Sequence, residues 1–475
     1  ASYATQSLFQ VNTGSATQFG IQLRHTSASF GEMKFILSGS QGYVTTSPML
    51  QPFFTGGFWD VMLRRDPAQL NLNETGSDVR YELITKNGNF DGDNAFNASK
   101  AINLANLHWG LHGWAVYSSL GLCFAFASYN KKLPFRVSSL LGEKVASNKP
   151  LAVLIDVIAI LTTVFGVTTS LGLGTVQISA GMAHIFGIEE TFTNKVYIII
   201  FITLLGLTSV SLGLNAGIKK LSQVNMIIAT GLLLLVFALG PTIFIVNALV
   251  QNFGAYLNTI IQSATWTEVY DPTSWQNGWT LFYFTWWFSW APFVSLFIAR
   301  ISYGRTIKEF IVGVLFVPSL IVFLWMGVFG NAAIYQVISN TSDISQVVAN
   351  NLPVALFTLY DVYPFAQPLS IVSLILIITF FVTSSDSGAL VASMLSSKDQ
   401  TDINDDSPMI SRVTWAVLLG IVAAVLLYAG GLTALQTSVV ITGVPFAIIM
   451  VFACKNLLKG LEESEDSPPR HINTD

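Results

Sequence analysis

Of 475 residues, 52% are hydrophobic and only 11% are charged, so the chain holds far more apolar length than a soluble core of its size needs. The net charge of −4 is spread among the segments between apolar runs, which leaves neither a basic face for nucleic acid nor a polybasic membrane switch. Cys123 and Cys454 both fall within or at the end of apolar runs without a metal-ligand spacing, and read as buried thiols.

Residues 1–100 are rich in Ser, Thr, Gly, Asn and Gln and contain no run long enough to span a bilayer. They read as a polar segment, extracellular or aberrant. From residue 104 onward, apolar runs of eighteen residues or more recur, each able to cross roughly 30 Å of hydrocarbon as a helix. Nine spans are expected, at 104–128, 150–183, 194–217, 223–249, 277–302, 310–336, 367–395, 409–430 and 433–455. Two further segments, 133–141 and 252–263, look amphipathic, the second as a helix lying along the membrane surface. Residues 458–475 read as a short polar, disordered tail.

Basic residues set the orientation. Lys131, Lys132, Arg136 and Lys144 follow the first span, Lys219 and Lys220 the third, Arg300, Arg305 and Lys308 the fifth, and Lys455 and Lys459 the ninth, which places these ends and the C-terminus in the cytoplasm.

The first span opens with HWGLHGWAVY, in which Trp109, Trp114 and Tyr117 fall within an arc of about 140°. His108 and His112 stand one turn apart, but no third ligand suggests itself, and satisfied polar residues near the outer mouth are the simpler reading. In the second span, Thr163, Val167 and Ser170 share a narrow stripe, where hydroxyls either bond their own helix or coordinate a cation. Asp156 in the same span either braces the fold or serves function.

The fifth span, WTLFYFTWWFSWAPFVSLFIARISYGRTIKEF with its basic turn, is the most informative. Trp286, Trp287, Trp290 and Phe293 lie within an arc of about 120°, so their faces could line one cavity. Aromatic stripes at this spacing also pack against neighbouring helices, but π faces in a desolvated site attract quaternary ammonium groups. In the seventh span, FFVTSSDSG puts Thr383, Ser384, Ser385, Asp386 and Ser387 consecutively inside an apolar run, as a functional cluster or as a brace for a broken helix.

In this order and spacing, HWGLHGWAVY, TVFGVTTSLGLG, the tryptophan block with GRTIKEF, and FFVTSSDSG resemble the betaine/choline/carnitine transporter family over about residues 100–457. The resemblance implies an all-α polytopic membrane protein of the LeuT type, with two inverted five-helix repeats and the substrate site at mid-membrane. It implies an aromatic box of Trp109, Trp114, Tyr117 and Trp287, with Trp286, Trp290 and Phe293 along the pathway or in the same cavity. It implies substrates with a fully substituted ammonium or sulfonium group, such as glycine betaine, choline, carnitine or dimethylsulfoniopropionate. Sodium as the coupling ion would lie at Thr383 and Ser384 with Phe380, and a second sodium at Thr163, where Val167 replaces the expected second threonine. A homotrimer is implied, with no cofactor beyond the ion.

The family's glycine-rich opening helix of the first repeat is not found in residues 1–100, so the chain as written is expected to lack the N-terminal helices of the fold, and on that expectation to be unable to transport. A quaternary-amine sensor without transport, or a sodium-independent exchanger, is the alternative to a secondary transporter. An enzyme would need a convergent nucleophile, base or metal set, which the sequence does not offer.

Overall fold

The computed structural model describes residues 98–209, 220–269, 274–397 and 407–464 with their side chains. It also describes the backbone of adjoining helical residues 95–97, 210–212, 219 and 465, and of seven strands between residues 5 and 87. Two units emerge, one made of residues 1–91 with 268–273 and one of residues 92–267 with 274–475.

In the first unit, β1 (Thr5–Thr13), β2 (Ala16–His25), β3 (Gly31–Gly39) and β4 (Gly42–Thr45) pair antiparallel in that order, and β5 (Met49–Gln51) pairs with β3. A separate two-stranded ladder joins β6 (Trp59–Arg65) to β7 (Tyr81–Asn87). These strands correct the all-α expectation for the chain as a whole. That expectation holds among the described residues of the second unit, which are helical or irregular.

The second unit opens with α1 (Ala95–Trp109) and α2 (Leu111–Ala125), followed by a π turn at Phe126–Asn130. The first helix therefore begins before the predicted boundary at residue 101. The expected single span at 104–128 is broken at Gly110, where φ and ψ of −93° and −135° leave the helical region. Within the amphipathic segment expected at 133–141, a 3₁₀ turn forms at Val137–Leu141, after Pro134.

Next come α3 (Glu143–Ser147) and α4 (Lys149–Phe186). The side chain of Asn148 caps α4 by accepting from the Leu151 N–H at 3.4 Å, and Gly187 ends it in the left-handed region. The carboxylate of Asp156 accepts both the main-chain N–H and the hydroxyl of Ser138 at 2.9 Å, which assigns it the bracing role.

The chain continues through α5 (Phe192–Leu212), α6 (Lys219–Leu239) and α7 (Thr242–Thr265). The break between α6 and α7 falls at Gly240–Pro241, earlier than expected. The predicted surface helix at 252–263 is therefore the second half of one continuous 24-residue helix. After a π turn at Asn277–Leu281 come α8 (Phe282–Ile301), α9 (Ile307–Ile311), α10 (Val317–Ile338), α11 (Ile344–Asn350), α12 (Ala355–Tyr360), α13 (Ala366–Ser396) and α14 (Met409–Glu465).

At 57 residues, α14 has a contour of about 85 Å, twice what a bilayer accommodates. It bends at Gly430 and Gly431, where Gly431 takes φ 57°. This one element contains the two predicted spans at 409–430 and 433–455, and it carries helix through residues 458–465 of the expected tail. Residues 466–475 lie outside the described residues.

Among the described residues, eight helical stretches are long and apolar enough to cross a membrane, in place of the nine expected: Lys149–Phe186, Phe192–Ser209, Lys220–Leu239, Thr242–Thr265, Asn277–Ile301, Ile307–Ile338, Ala366–Ser396 and Met409–Ser464. The count differs because the first predicted span is broken at Gly110, α7 is long enough to qualify, and two spans merge in α14.

The core that positions the site is the contact of α2, α8 and the second half of α14, where Tyr117, Leu120, Phe124, Trp287, Leu296 and Phe446 are buried together. α8 packs tightly against α4, for a β-carbon at Gly166 would stand 2.9 Å from the Ser289 side chain.

Candidate functional site

Two helix faces and the small residues between them build the site. On α8, Trp286, Trp287 and Trp290 project toward α1, α2 and α4, and with Trp109, Trp114, Tyr117, Ser170 and Val294 they line a cavity of about 270 Å³. Trp287 is its central wall. Its ring centroid lies 5.9 Å from Trp109, 5.6 Å from Trp114 and 4.7 Å from Tyr117, while Trp109 meets Trp286 edge-on at 5.8 Å. The tilted and edge-to-face arrangements are those that ring quadrupoles favour.

Glycine makes the approach of Trp287 possible. A β-carbon on Gly113 would stand 2.2 Å from the Trp287 indole, so only hydrogen in that place lets the ring lie against α2. The Trp287 N–H is donated to the main-chain oxygen of His108 at 2.7 Å. Ser170 on α4 accepts from Trp286 at 3.1 Å and from Trp290 at 3.0 Å, and Trp290 also reaches the Gly166 carbonyl at 3.0 Å. One serine thus orients two indoles. The resulting chamber is aromatic and apolar, and among the described residues no charged side chain lines it. The Trp114 N–H is buried with no hydrogen-bond partner among the described residues.

Comparison with known proteins identifies the family. The family model described as betaine/carnitine/choline family transporter matches residues 86–466. The chain belongs to the betaine/carnitine/choline transporter family. It is similar to a glycine betaine transporter of Acinetobacter baylyi, 35% identical over 435 residues, which are 90% of this chain and 64% of that protein. It is also similar to a glycine betaine transporter of Bacillus subtilis, 39% identical over 390 residues, 81% of this chain and 74% of that protein. A glycine betaine/proline/choline transporter of Vibrio parahaemolyticus is 40% identical over 385 residues, 80% of this chain and 68% of its own length. The chain thus spans roughly two thirds of these relatives. Family membership makes this a multi-pass membrane protein of a transporter family, not of an enzyme family.

Of the seven predicted aromatic residues, six line the cavity and Phe293 does not. Phe293 is buried behind Trp290, ring centroids 5.2 Å apart, and Val294 takes the place at the wall. Tyr283, which the sequence did not single out, extends the aromatic surface outward. It meets Trp109 edge-on at 5.4 Å and stacks on His108 at 4.9 Å. Its position is legible only as one of many rings in the block.

Of the two histidines expected to be satisfied polar residues, His108 is one, with Nε2 3.0 Å from the Thr280 hydroxyl, whereas Nδ1 of His112 is buried without a hydrogen-bond partner among the described residues. No group of three metal-ligating side chains occurs among the described residues.

The hydroxyl cluster lies on α13. Thr383 donates its hydroxyl to the Phe380 carbonyl at 2.9 Å, which leaves the lone pairs of its oxygen free for a cation. Ser384 is half-buried. The Phe380 side chain lines a separate, larger apolar cavity of about 530 Å³ with Trp325, Phe329, Tyr360 and Leu376.

Thr163 is fully buried and donates to the Ala159 carbonyl of its own helix at 2.9 Å. Val167 is buried against Gly388 on α13, where a β-carbon would stand 2.7 Å from a valine methyl. Asp386 is buried with Ser209 and Arg412 nearby, and neither carboxylate oxygen has a hydrogen-bond partner among the described residues.

Proposed function

We propose that this chain provides the binding chamber of a sodium-coupled secondary transporter for quaternary ammonium or sulfonium compounds, glycine betaine and choline foremost. The observation that carries the proposal is the six-ring cavity around Trp287. A trimethylammonium group has no N–H to donate, so it loses little on entering a chamber walled mainly by ring faces, and its diffuse charge is drawn to those faces. A primary ammonium has three donors to satisfy, and only the Ser170 and Tyr117 hydroxyls could accept from it there. At about 270 Å³ the chamber suits a small osmolyte and falls just below the usual range for drug-sized ligands.

The names of the relatives support the substrate class, since the matched proteins of Acinetobacter baylyi and Bacillus subtilis are glycine betaine transporters. Thr383 and Ser384 are the residues suited to the coupling sodium, as hard oxygen donors on a glycine-containing helix. A second sodium at Thr163 is disfavoured, because Val167 offers no oxygen and the Thr163 hydroxyl is already turned to its own helix.

The proposal includes an inverted repeat of the LeuT type, residence in the cell membrane with a cytoplasmic C-terminus, and a homotrimer. The apolar residues Ile243, Val246, Val250, Phe253, Leu257 and Ile261 support the trimer, for they form an exposed stripe along α7 at helical spacing. The test is uptake of labelled glycine betaine or choline into proteoliposomes that hold the transporter whose chamber this chain provides, with and without an inward sodium gradient. Accumulation that requires sodium is expected, and equal uptake in potassium buffer would overturn the coupling.

A further inference from the structure

The cavity of about 530 Å³ shares no residue with the tryptophan chamber and has about twice its volume. Its walls come from α4, α6, α10, α11, α12 and α13. Trp325 and Phe329 stack at 4.5 Å along α10, and Tyr360 and Phe380 add two further rings. Polar groups are few. The Tyr360 and Ser373 hydroxyls satisfy each other at 2.9 Å, which leaves the Gln177 carboxamide on α4 and the Ser345 hydroxyl on α11 to meet a ligand. Among the described residues no charged side chain lines this cavity. An ion would find no counter-charge there, and a pure hydrocarbon would leave the Gln177 amide unpaired. An uncharged aromatic molecule with one hydroxyl meets both conditions, for it packs on rings and hydrogen-bonds the amide.

The two short helices that cover the cavity are held differently. α12 is anchored: Phe357 is fully buried over Gly181, where a β-carbon would stand 2.4 Å from its ring, and the Gln336 amide donates to the Leu359 carbonyl at 2.9 Å. α11 is held lightly. It gives Ile344, Ser345 and Val348 to the cavity wall, and Ile344 is its one buried residue. It follows a turn in which Asn340 takes φ 51°. Among the described residues, the one side-chain hydrogen bond from residues 344–354 to another segment runs from Asn351 Nδ2 to Glu190 Oε1 at 3.1 Å, in the turn after α4.

We propose that this cavity is a second ligand site, for an uncharged aromatic alcohol, with α11 as its flap and the Asn351–Glu190 bond as the latch. Its volume lies within the range of pockets for drug-sized ligands. The Phe380 ring forms one wall while the Phe380 carbonyl accepts from Thr383 at 2.9 Å, so the site abuts the turn assigned to the coupling ion. Binding in the cavity depends neither on that assignment nor on what the tryptophan chamber takes.

The probe that tests this is benzyl alcohol carrying a photoreactive diazirine on its ring, irradiated with the purified full chain in detergent, with adducts mapped by peptide mass spectrometry. Saturable labelling of Val348, Leu356 or Phe380 is expected, and excess plain benzyl alcohol should lower it at least about fivefold. Ala333→Leu and Ser345→Trp narrow the cavity, the second from an exposed position on the flap that leaves the core untouched, and each should lower labelling by about as much. Glu190→Ala and Asn351→Ala should each raise the labelling rate at least about threefold, and the double variant no further, since both remove the same bond. Labelling that does not saturate, that both narrowing variants leave unchanged, or that the latch variants do not accelerate would overturn the proposal. Adducts displaced by added phospholipid and not by benzyl alcohol would assign the cavity to an acyl chain, and would overturn it too.

Discussion

The Trp287 indole donates to the His108 carbonyl at 2.7 Å, and this bond joins the wall of the cavity on α8 to the end of α1, next to the break at Gly110. The ring is thereby fixed among Trp109, Trp114 and Tyr117. Replacing Trp287 by Leu removes a desolvated cation–π face worth about 2 kcal/mol, which weakens quaternary ammonium binding about 30-fold. Trp275→Leu, outside the cavity, should change affinity less than twofold. Gly113→Ala should weaken binding as Trp287→Leu does, since its β-carbon occupies the place of the indole. Titration of intrinsic tryptophan fluorescence with choline measures all three.

Trp290 and Phe293 separate wall from support. Trp290→Leu removes a cavity face and one of the two donors to Ser170, so binding should fall at least tenfold. Phe293→Leu changes packing behind that ring and should lower Tm while leaving affinity within about threefold. Calorimetric binding and thermal melts on the same samples distinguish the two effects.

For the coupling ion, sodium titration of uptake should give a Hill coefficient near one, because Val167 removes the oxygen a second site requires. Thr383→Ala combined with Ser384→Ala should abolish sodium dependence or uptake altogether. Val167→Thr is close to isosteric, so it tests whether one hydroxyl at this place raises the Hill coefficient toward two.

The exposed stripe on α7 predicts assembly. Light scattering in mild detergent should give a protein mass three times 51.7 kDa. Val250→Arg with Ile261→Arg places charges on two of its most exposed apolar positions and should shift the particle toward monomer.

Asp156 predicts a stability effect without a binding effect. Asp156→Ala leaves the Ser138 N–H and hydroxyl without their acceptor, at a cost of about 1–3 kcal/mol. Its Tm should drop while choline affinity is kept.

Much of the site is legible in the sequence because helical angles depend only on spacing. The arcs holding Trp109, Trp114 and Tyr117 on one side and Trp286, Trp287 and Trp290 on the other survive even the break at Gly110. Phe293 fell on the same arc but not in the cavity, since spacing gives a direction around the axis and not what packs there, and Val294 took the wall. The Ser170 stripe was visible, but its service to two indoles required the approach of α4 to α8. The division of α6 from α7 was written in Gly240–Pro241, yet hydropathy continued across it and concealed the break. Nothing in the polar composition of residues 1–91 announced their strands, because neither an alternating apolar face nor a helical one dominates there.

The central claim, that the six-ring chamber recognises a quaternary cation by charge and not merely by shape, is tested most directly by comparing choline with its tert-butyl analogue, in which carbon replaces the nitrogen. Calorimetric titration of both ligands into the wild-type protein and into Trp287→Leu isolates the contribution of the charge at that ring. The account predicts that choline binds at least tenfold more tightly than the neutral analogue and that Trp287→Leu removes most of this difference. Equal affinity for the two ligands in the wild-type protein, or a difference that Trp287→Leu leaves intact, would contradict it.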